Sequence, residues 1–541
     1  MRTVLALSVA AVAQASSFKI GTIHDNSAPI LSSIDANAIP DAYIIKFKDH
    51  VDDSAATDHH SWVQDIHGEG EQQRLELRKR NIGNVEAFSG LKHTFKIGKS
   101  FRGYAGHFHE DIIEKVRNHP DVEYIERDSI VHTMLPLDHK NHIAEDKCAG
   151  DTEKGAPWGL ARISHRERLN FGTFNQYLYS ADGGEGVDAY VIDTGTNVGH
   201  VDFEGRAKWG KTIPSGDEDE DGNGHGTHCS GTVAGKKYGV AKKAHVYAVK
   251  VLRSNGSGSM SDVMKGVEWA ALAHIEQVKL AKNGKRKGFR GSVANMSLGG
   301  GKTTALDAAV NAAVKAGLHM AVAAGNDNAD ACNSSPAAAE LPVTVGASAI
   351  GDDRAYFSNY GKCTDIFAPG LSILSTWIGS NHAVNTISGT SMASPHVCGL
   401  LAYYLSLQPS TDSEYSVAPI TPKTLKENII SIATKGALSD IPDDTPNLLI
   451  WNGGGCSDYS QIVKAGGYTV KKNNNSSSSK TVGKPLSISE LEEAIEGDFE
   501  VLSGKVVSGA KKFTSKAEKF AEKLKELVNE EIEEFIHEVS E

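Results

Sequence analysis

Between about residues 157 and 452, short apolar runs alternate with longer amphipathic ones. "VDAYVID" (187–193), "AHVYAVKVL" (244–252), "SVANMSL" (292–298), "HMAVAAG" (319–325) and "PVTVGAS" (342–348) are nearly continuous in apolar residues. Runs this short, without polar alternation, fit strands buried on both faces. Between them lie helical stretches such as "SDVMKGVEWAALAHIEQV" (261–278). The alternation predicts an α/β domain over 157–452, with a mostly parallel sheet and helices on both faces.

A different pattern precedes it. "AYIIKFK" (42–48) and "VEYIERDSIV" (122–131) read as strands, and "HEDIIEKVRNHP" (109–120) as a short helix with Ile112, Ile113 and Val116 on one face, closed by Pro120. These predict a small α+β module over 42–134. "HKNHIAEDKCAGDTEKG" (139–155) is polar and reads as an exposed, cleavable connection. Beyond the large domain, "KKNNNSSSSK" (471–480) is a low-complexity linker. Phe520, Leu524, Leu527, Ile532 and Phe535 then recur at helical spacing in a charged segment. Residues 456–541 are therefore expected to be a removable extension.

Composition changes little in this picture. The chain has 541 residues, 40% hydrophobic and 23% charged, and a net charge of −12, so no basic face invites nucleic acid. "MRTVLALSVAAVAQASS" has one Arg, an apolar run and a small-residue site at Ala13-Gln14-Ala15, the form of a signal peptide over 1–16. No later stretch has the length of a membrane span, and no stable membrane insertion is expected. Six cysteines in so long a chain allow one or two bridges without fixing them.

Candidate chemistry begins at "DEDEDGNGHGTHC" (217–229). Asp217, Asp219, Asp221 and Gly222 match the start of an EF-hand loop, but position 12 is His228, a poor ligand for a hard cation. The acidic run reads instead as a solvated approach to His225. His225, His228 and Cys229 lack the HExxH spacing of a zinc peptidase helix. Asp193 ends an apolar strand, where the ligand crevice of a parallel sheet lies. Ser391 opens a strongly apolar helical run, with Pro395 placed in its first turn. Alone, Asp193 also fits a turn cap and Ser391 a helix cap. Together they supply what acyl transfer needs, in the chain order Asp…His…Ser: a nucleophile, a base, and a carboxylate to hold the base in one tautomer. Asn326, after a buried strand and Gly325, offers an amide for the oxyanion, with the Ser391 backbone N–H as second donor.

"VIDTG", "DGNGHGTHCSGTVAG", "NMSLGGG", "AVAAGNDN" and "ISGTSMASPHV" resemble the subtilisin-like serine proteases. "YGVAKKAHVYAVKVLRSNGSGS" resembles the proteinase K branch, and "DACNSSPA" with "DDRAYFSNYGKCTDIFAPG" the fungal vacuolar protease B (cerevisin) subgroup. The resemblance implies a subtilisin-like fold and a serine endopeptidase of broad specificity, with Asp193, His225 and Ser391 as triad and Asn326 as oxyanion donor. It further implies that Ser297, Leu298, Gly299, Ala323, Ala324 and Gly325 wall the pocket before the scissile bond. Asn255, Gly256 and Ser257 would form the other strand that pairs with substrate. Residues 42–134 resemble the family's ferredoxin-like inhibitory propeptide, a partner in cis beside protein and peptide substrates. The enzyme is then an autoprocessed zymogen, cut between about 132 and 147, and expected to be a monomer. The resemblance implies a Cys332–Cys363 bridge, a free buried Cys229, and a structural calcium at Asp365 with carbonyls near Glu340 and Pro342; the chemistry itself requires no cofactor. Sequons at Asn333, Asn474 and Asn475 suggest a glycoprotein, whereas Asn295 falls on a buried strand. The destination implied is the vacuole, the alternative being secretion. The competing reading is an inactive homologue that only binds peptides.

Overall fold

The computed structural model describes residues 27–31, 38–79, 88–133, 150–410, 413 and 419–470. The expected signal, the processing region and the charged extension lie outside the described residues.

The large domain is built on a ten-stranded sheet. From Ala207–Thr212 at one edge the order runs His245–Lys250, Val187–Asp193, Gly291–Met296, His319–Ala323, Val343–Ser348, Ile366–Pro369 and Leu448–Leu449, each neighbouring pair parallel. The short strand Thr434–Lys435 then runs antiparallel. Both faces are covered, as the apolar strands require. Val187, Ala189 and Val191 enter one core with the helices His225–Ala234 and Thr390–Ser406. Tyr190 and Ile192 point into a second core with the helices Met260–Lys282 and Thr304–Lys315. The strand Val187–Asp193 leads to the edge on one side, and the chain later returns to pair on its other side. The crevice of such a sheet opens at the carboxyl ends of the strands around that switch.

The N-terminal module is a four-stranded antiparallel sheet in the order Val122–Thr133, Ala38–Phe47, Phe101–His107, Gly90–Ile97, crossed by the helices Asp53–Lys79 and Glu110–Arg117. This is the βαββαβ ferredoxin-like arrangement. Ile112, Ile113 and Val116 are buried as their spacing predicts.

Two expected boundaries move. Asp151–Lys154 is a strand paired with Gln176–Tyr179, and Glu153 forms an ion pair with Lys242 at 2.7 Å, so the polar connection ends before Asp151. The folded body also runs past residue 456. The helix Tyr459–Ala465 buries Ile462 in the first core, and Tyr468–Thr469 pairs with Thr434–Lys435. A buried apolar side chain and strand pairing hold this segment, which polar composition alone had assigned to the extension.

Candidate active site

Asp193 is the last residue of the central strand and fully buried. Its carbonyl accepts from the amides of Val251 and Leu252, and its carboxylate Oδ1 from the Thr194 amide. The buried Lys250 ammonium donates to the carbonyls of Thr194 and Leu252, fixing the chain beyond the strand end.

His225 opens the next helix. Its Nδ1 lies 2.8 Å from Asp193 Oδ1 and 3.0 Å from Oδ2, while its Nε2 is buried without a hydrogen-bond partner among the described residues. The carboxylate thus fixes the tautomer with the proton on Nδ1 and leaves Nε2 as the acceptor. Gly226 makes the approach feasible, since a Cβ there would meet the Gly195 carbonyl at 2.2 Å. His228 does not join the site. Its Nε2 donates to the Ile373 carbonyl, and burial pushes its pKa down to about 3.

The acidic approach divides. Glu218, Asp219 and Glu220 are exposed, as expected of a solvated loop. Asp221 is buried and corrects that reading. Its Oδ1 accepts from Thr194 Oγ1 and the amides of Asn223 and Gly224, and its Oδ2 from the amide and hydroxyl of Thr227. One carboxylate therefore ties the end of the Asp193 strand to the first turn of the His225 helix. The signal available in sequence was an acidic residue shortly before a helix start.

Ser391 is the second residue of the buried helix Thr390–Ser406. Pro395 lies inside this helix, past its first turn. Having no N–H, Pro395 leaves the Ser391 carbonyl unpaired within the helix. Ser297 Oγ donates to that carbonyl at 2.7 Å and the Cys229 thiol at 3.4 Å. Burial pushes the Cys229 pKa well up, so it stays a protonated donor. Ser297 is in turn held by Asn295, whose Oδ1 accepts from Ser394. The Ser391 hydroxyl donates to the Ser297 carbonyl at 3.0 Å.

Asn326 follows the strand His319–Ala323, with Ala323 and Ala324 buried and Gly325 at φ 107°. Its Oδ1 accepts from the amide and the hydroxyl of Thr390, each at 2.9 Å. That assigns the amide's orientation and leaves Nδ2 buried without a hydrogen-bond partner among the described residues. A buried donor beside the first turn of the serine helix suits a developing negative oxygen. Cys332 and Cys363 form a disulfide with Cα atoms 5.2 Å apart, and Cys363 packs on the cluster containing Ala324. Cys229 and Cys398 are free and buried.

The strands expected to bind substrate are already paired. The last residues of the N-terminal module run antiparallel to both: Ile130, Val131 and His132 face Ser259, Gly258 and Ser257, while His132 and Thr133 face Gly299 and Leu298. The Thr133 amide donates to the Gly256 carbonyl, and Asn255 Oδ1 accepts from the Ser257 amide. Strand addition of this kind uses main-chain bonds and so binds many sequences. Two acids of the module anchor it further. Glu126 accepts from the amides of Thr304 and Ala305, and Asp128 from that of Ser261, so each carboxylate caps the start of a helix in the large domain.

Asp193, His225 and Cys229 are close enough to share an ion. Their donor atoms are, however, committed to the Asp193–His225 pair and the Ser391 carbonyl. The residues expected to hold calcium do not fit it. Asp365 Oδ2 pairs with the Lys426 ammonium at 2.7 Å, and that ammonium also donates to the carbonyls of Glu340 at 3.0 Å and Pro342 at 2.7 Å. Every expected protein ligand is taken by one lysine.

A buried carboxylate–imidazole pair, a serine at a helix start and a cleft filled by the chain's own N-terminal module define a serine endopeptidase made with its inhibitor in cis. The chain belongs to the subtilase family: the subtilase family model matches residues 184–450, and the peptidase inhibitor I9 model matches residues 42–134. It is 67% identical to the subtilisin-like proteinase Spm1 of Pyricularia oryzae over 541 residues, 99% of each chain. It is 70% identical to the subtilisin-like serine protease Pen c 2 of Penicillium citrinum over 456 residues, 84% of this chain and 97% of that one. Against alkaline protease 2 of Aspergillus fumigatus it is 67% identical over 473 residues, 87% of this chain and 93% of that one.

Proposed function

We propose that this peptidase works through Asp193, His225 and Ser391, with Asn326 and the Ser391 amide holding the oxyanion, and cleaves extended peptides with little sequence preference. The observation that carries the reading is the Asp193–His225 contact at 2.8 Å, with Nε2 left free. On engaging substrate, the Ser391 hydroxyl leaves the Ser297 carbonyl and gives its proton to His225 Nε2 as Oγ attacks the scissile carbonyl. Asp193 steadies the imidazolium that forms. Asn326 Nδ2, its only free donor group turned from Thr390, meets the oxygen as it becomes negative. His225 then returns the proton to the leaving amine, and water hydrolyses the acyl-enzyme.

Substrate adds a strand between Asn255–Ser257 and Ser297–Gly299, the place now held by His132 and Thr133. The small residues Ala323, Ala324 and Gly325 leave room for a large apolar side chain. The first cut is made by the chain on itself, just beyond Thr133. Within the family we assign the chain to the fungal vacuolar protease B type, a monomeric glycoprotein bearing sugar at the exposed Asn333 and delivered through the secretory route to the vacuole rather than the medium. No helix among the described residues is long and apolar enough to cross a membrane.

Reaction with a fluorophosphonate probe tests the assignment. The active chain is labelled at Ser391, and purified Ser391→Ala protein is unlabelled, inactive and full length. A processed, active Ser391→Ala chain would refute it. Fractionation of vacuole against medium tests the destination.

A further inference from the structure

We propose that the Lys426 side chain is the structural cation of this enzyme, filling a cage of oxygens that would otherwise call for a metal ion, so that the domain needs no calcium at Asp365.

The cage is made by three oxygens: Asp365 Oδ2 and the carbonyls of Glu340 and Pro342. An ammonium has three N–H donors and no acceptor, and here three oxygens, one for each donor, lie within 3.0 Å of Nζ. The charges also close, one carboxylate against one ammonium. A calcium ion takes six to eight oxygens and would have to sit against the ammonium's positive charge. While the ammonium fills the cage no such shell can form; once it is gone, water completes the shell around these three oxygens.

The lysine is not a surface side chain that has strayed. It sits on the helix Pro422–Ile432, whose Leu425, Ile429 and Ile432 are buried, and its own side chain is only 16% exposed against 22% for Asp365. The helix therefore fixes where the ammonium lies. Asp365 is fixed independently, since its Oδ2 also accepts from the Thr344 amide and its own amide donates to the Thr344 carbonyl. Burial pushes the Asp365 carboxyl up and the lysine opposes that shift, so the carboxylate is costly here without a cation. The one acid on the helix, Glu427, faces Lys423 at 3.9 Å and leaves Lys426 uncontested. The contact joins the helix to the start of the strand Val343–Ser348 and to the segment after Cys363, itself bridged to Cys332.

Thermal unfolding of the full-length chain carrying Ser391→Ala, which removes self-digestion, tests this. The melting temperature is expected to be the same in millimolar calcium and in EGTA. With Lys426→Ala added, it falls by about 5 °C in EGTA, the size appropriate to breaking a mostly buried pair, and calcium restores it by entering the vacated cage. With Lys426→Met added it falls similarly and calcium does not restore it, because the side chain still fills the cage. A parent stabilised by calcium, a Lys426→Ala chain as stable as the parent in EGTA, or a Lys426→Ala loss that calcium does not repair overturns the proposal. The parent measurement needs no change at Lys426, and decides alone should either variant fail to fold.

Discussion

Pro395 lies four residues beyond Ser391 in one helix, and the missing N–H of the proline leaves the serine carbonyl to be satisfied from outside the helix by Ser297 and Cys229. The first turn of the helix is thereby held laterally, by groups on the strand end Ser297 and on the His225 helix. The backbone of Ser391 is positioned by the same elements that carry His225 and the strand Leu298–Gly301, which pairs with the N-terminal module.

Removing one of those holds should slow the chemistry without weakening substrate binding. Ser297→Ala is expected to lower kcat roughly fivefold to tenfold, the worth of one buried hydrogen bond, with KM nearly unchanged. Steady-state kinetics on a quenched peptide substrate measures this; an unaltered kcat would mean that the thiol of Cys229 suffices.

Asn326 Nδ2 makes no hydrogen bond among the described residues, so the loss of that donor should show mainly in the transition state. Asn326→Ala is expected to lower kcat by roughly 10²–10³, the magnitude known for the equivalent donor in subtilisin, with KM held within a small factor. Thr390→Val should give a smaller loss of the same kind, since the Thr390 amide still orients Asn326 after the hydroxyl is gone.

The hold of the inhibitory module depends on two caps as well as on strand pairing. Glu126→Ala and Asp128→Ala each remove a buried carboxylate from a helix start, worth about 1–2 kcal/mol, or roughly tenfold in the equilibrium between docked and released module. Full-length protein with either change should reach full activity sooner. Time courses of activity after purification, at fixed pH, provide the comparison.

Acid should loosen the same module through His59. Burial, with His119 and His60 beside it, pushes its pKa down to about 3. It packs against the His119 ring at 4.3 Å and hydrogen-bonds Tyr104 at 3.1 Å; the nearest acid, Asp121, lies 3.8 Å from His119. A histidine held neutral when folded binds its proton more readily unfolded. Stability is therefore lost as pH falls below the unfolded value, by about 2 kcal/mol near pH 5. Glu126 works the other way, because its carboxyl is pushed up to about 7 by burial, and proton uptake there favours docking as pH falls. Amide protection over residues 38–133 of the Ser391→Ala chain, with the intrinsic pH dependence of exchange divided out, should fall between about pH 7 and pH 5. Replacing the histidine, His59→Phe, should flatten the fall; an equal fall in that variant would assign the effect elsewhere.

Much of this was legible in the order of residues along the chain. Continuous apolar runs such as Val187–Asp193 can be buried on both faces only inside a parallel sheet, and the spacing of Ile112, Ile113 and Val116 can serve only one helix face. The candidate triad was legible too, because serine has no reactivity without a base and a carboxylate, and the chain offers all three in short, chemically unusual segments. What sequence could not fix were contacts between distant segments. Asp221 read as one more solvated acid, since nothing local says that five donors converge on it. Nothing in the sequence set Lys426 apart; only the fold brought Glu340, Pro342 and Asp365 around it. Residues 459–469 read as the start of a tail because the burial of Ile462 is a property of the neighbours it meets. Local propensity and residue chemistry determine which elements form and what reactions they could support. Burial, charge partners and hydrogen-bond completion depend on groups tens or hundreds of positions apart, and only the folded chain decides those.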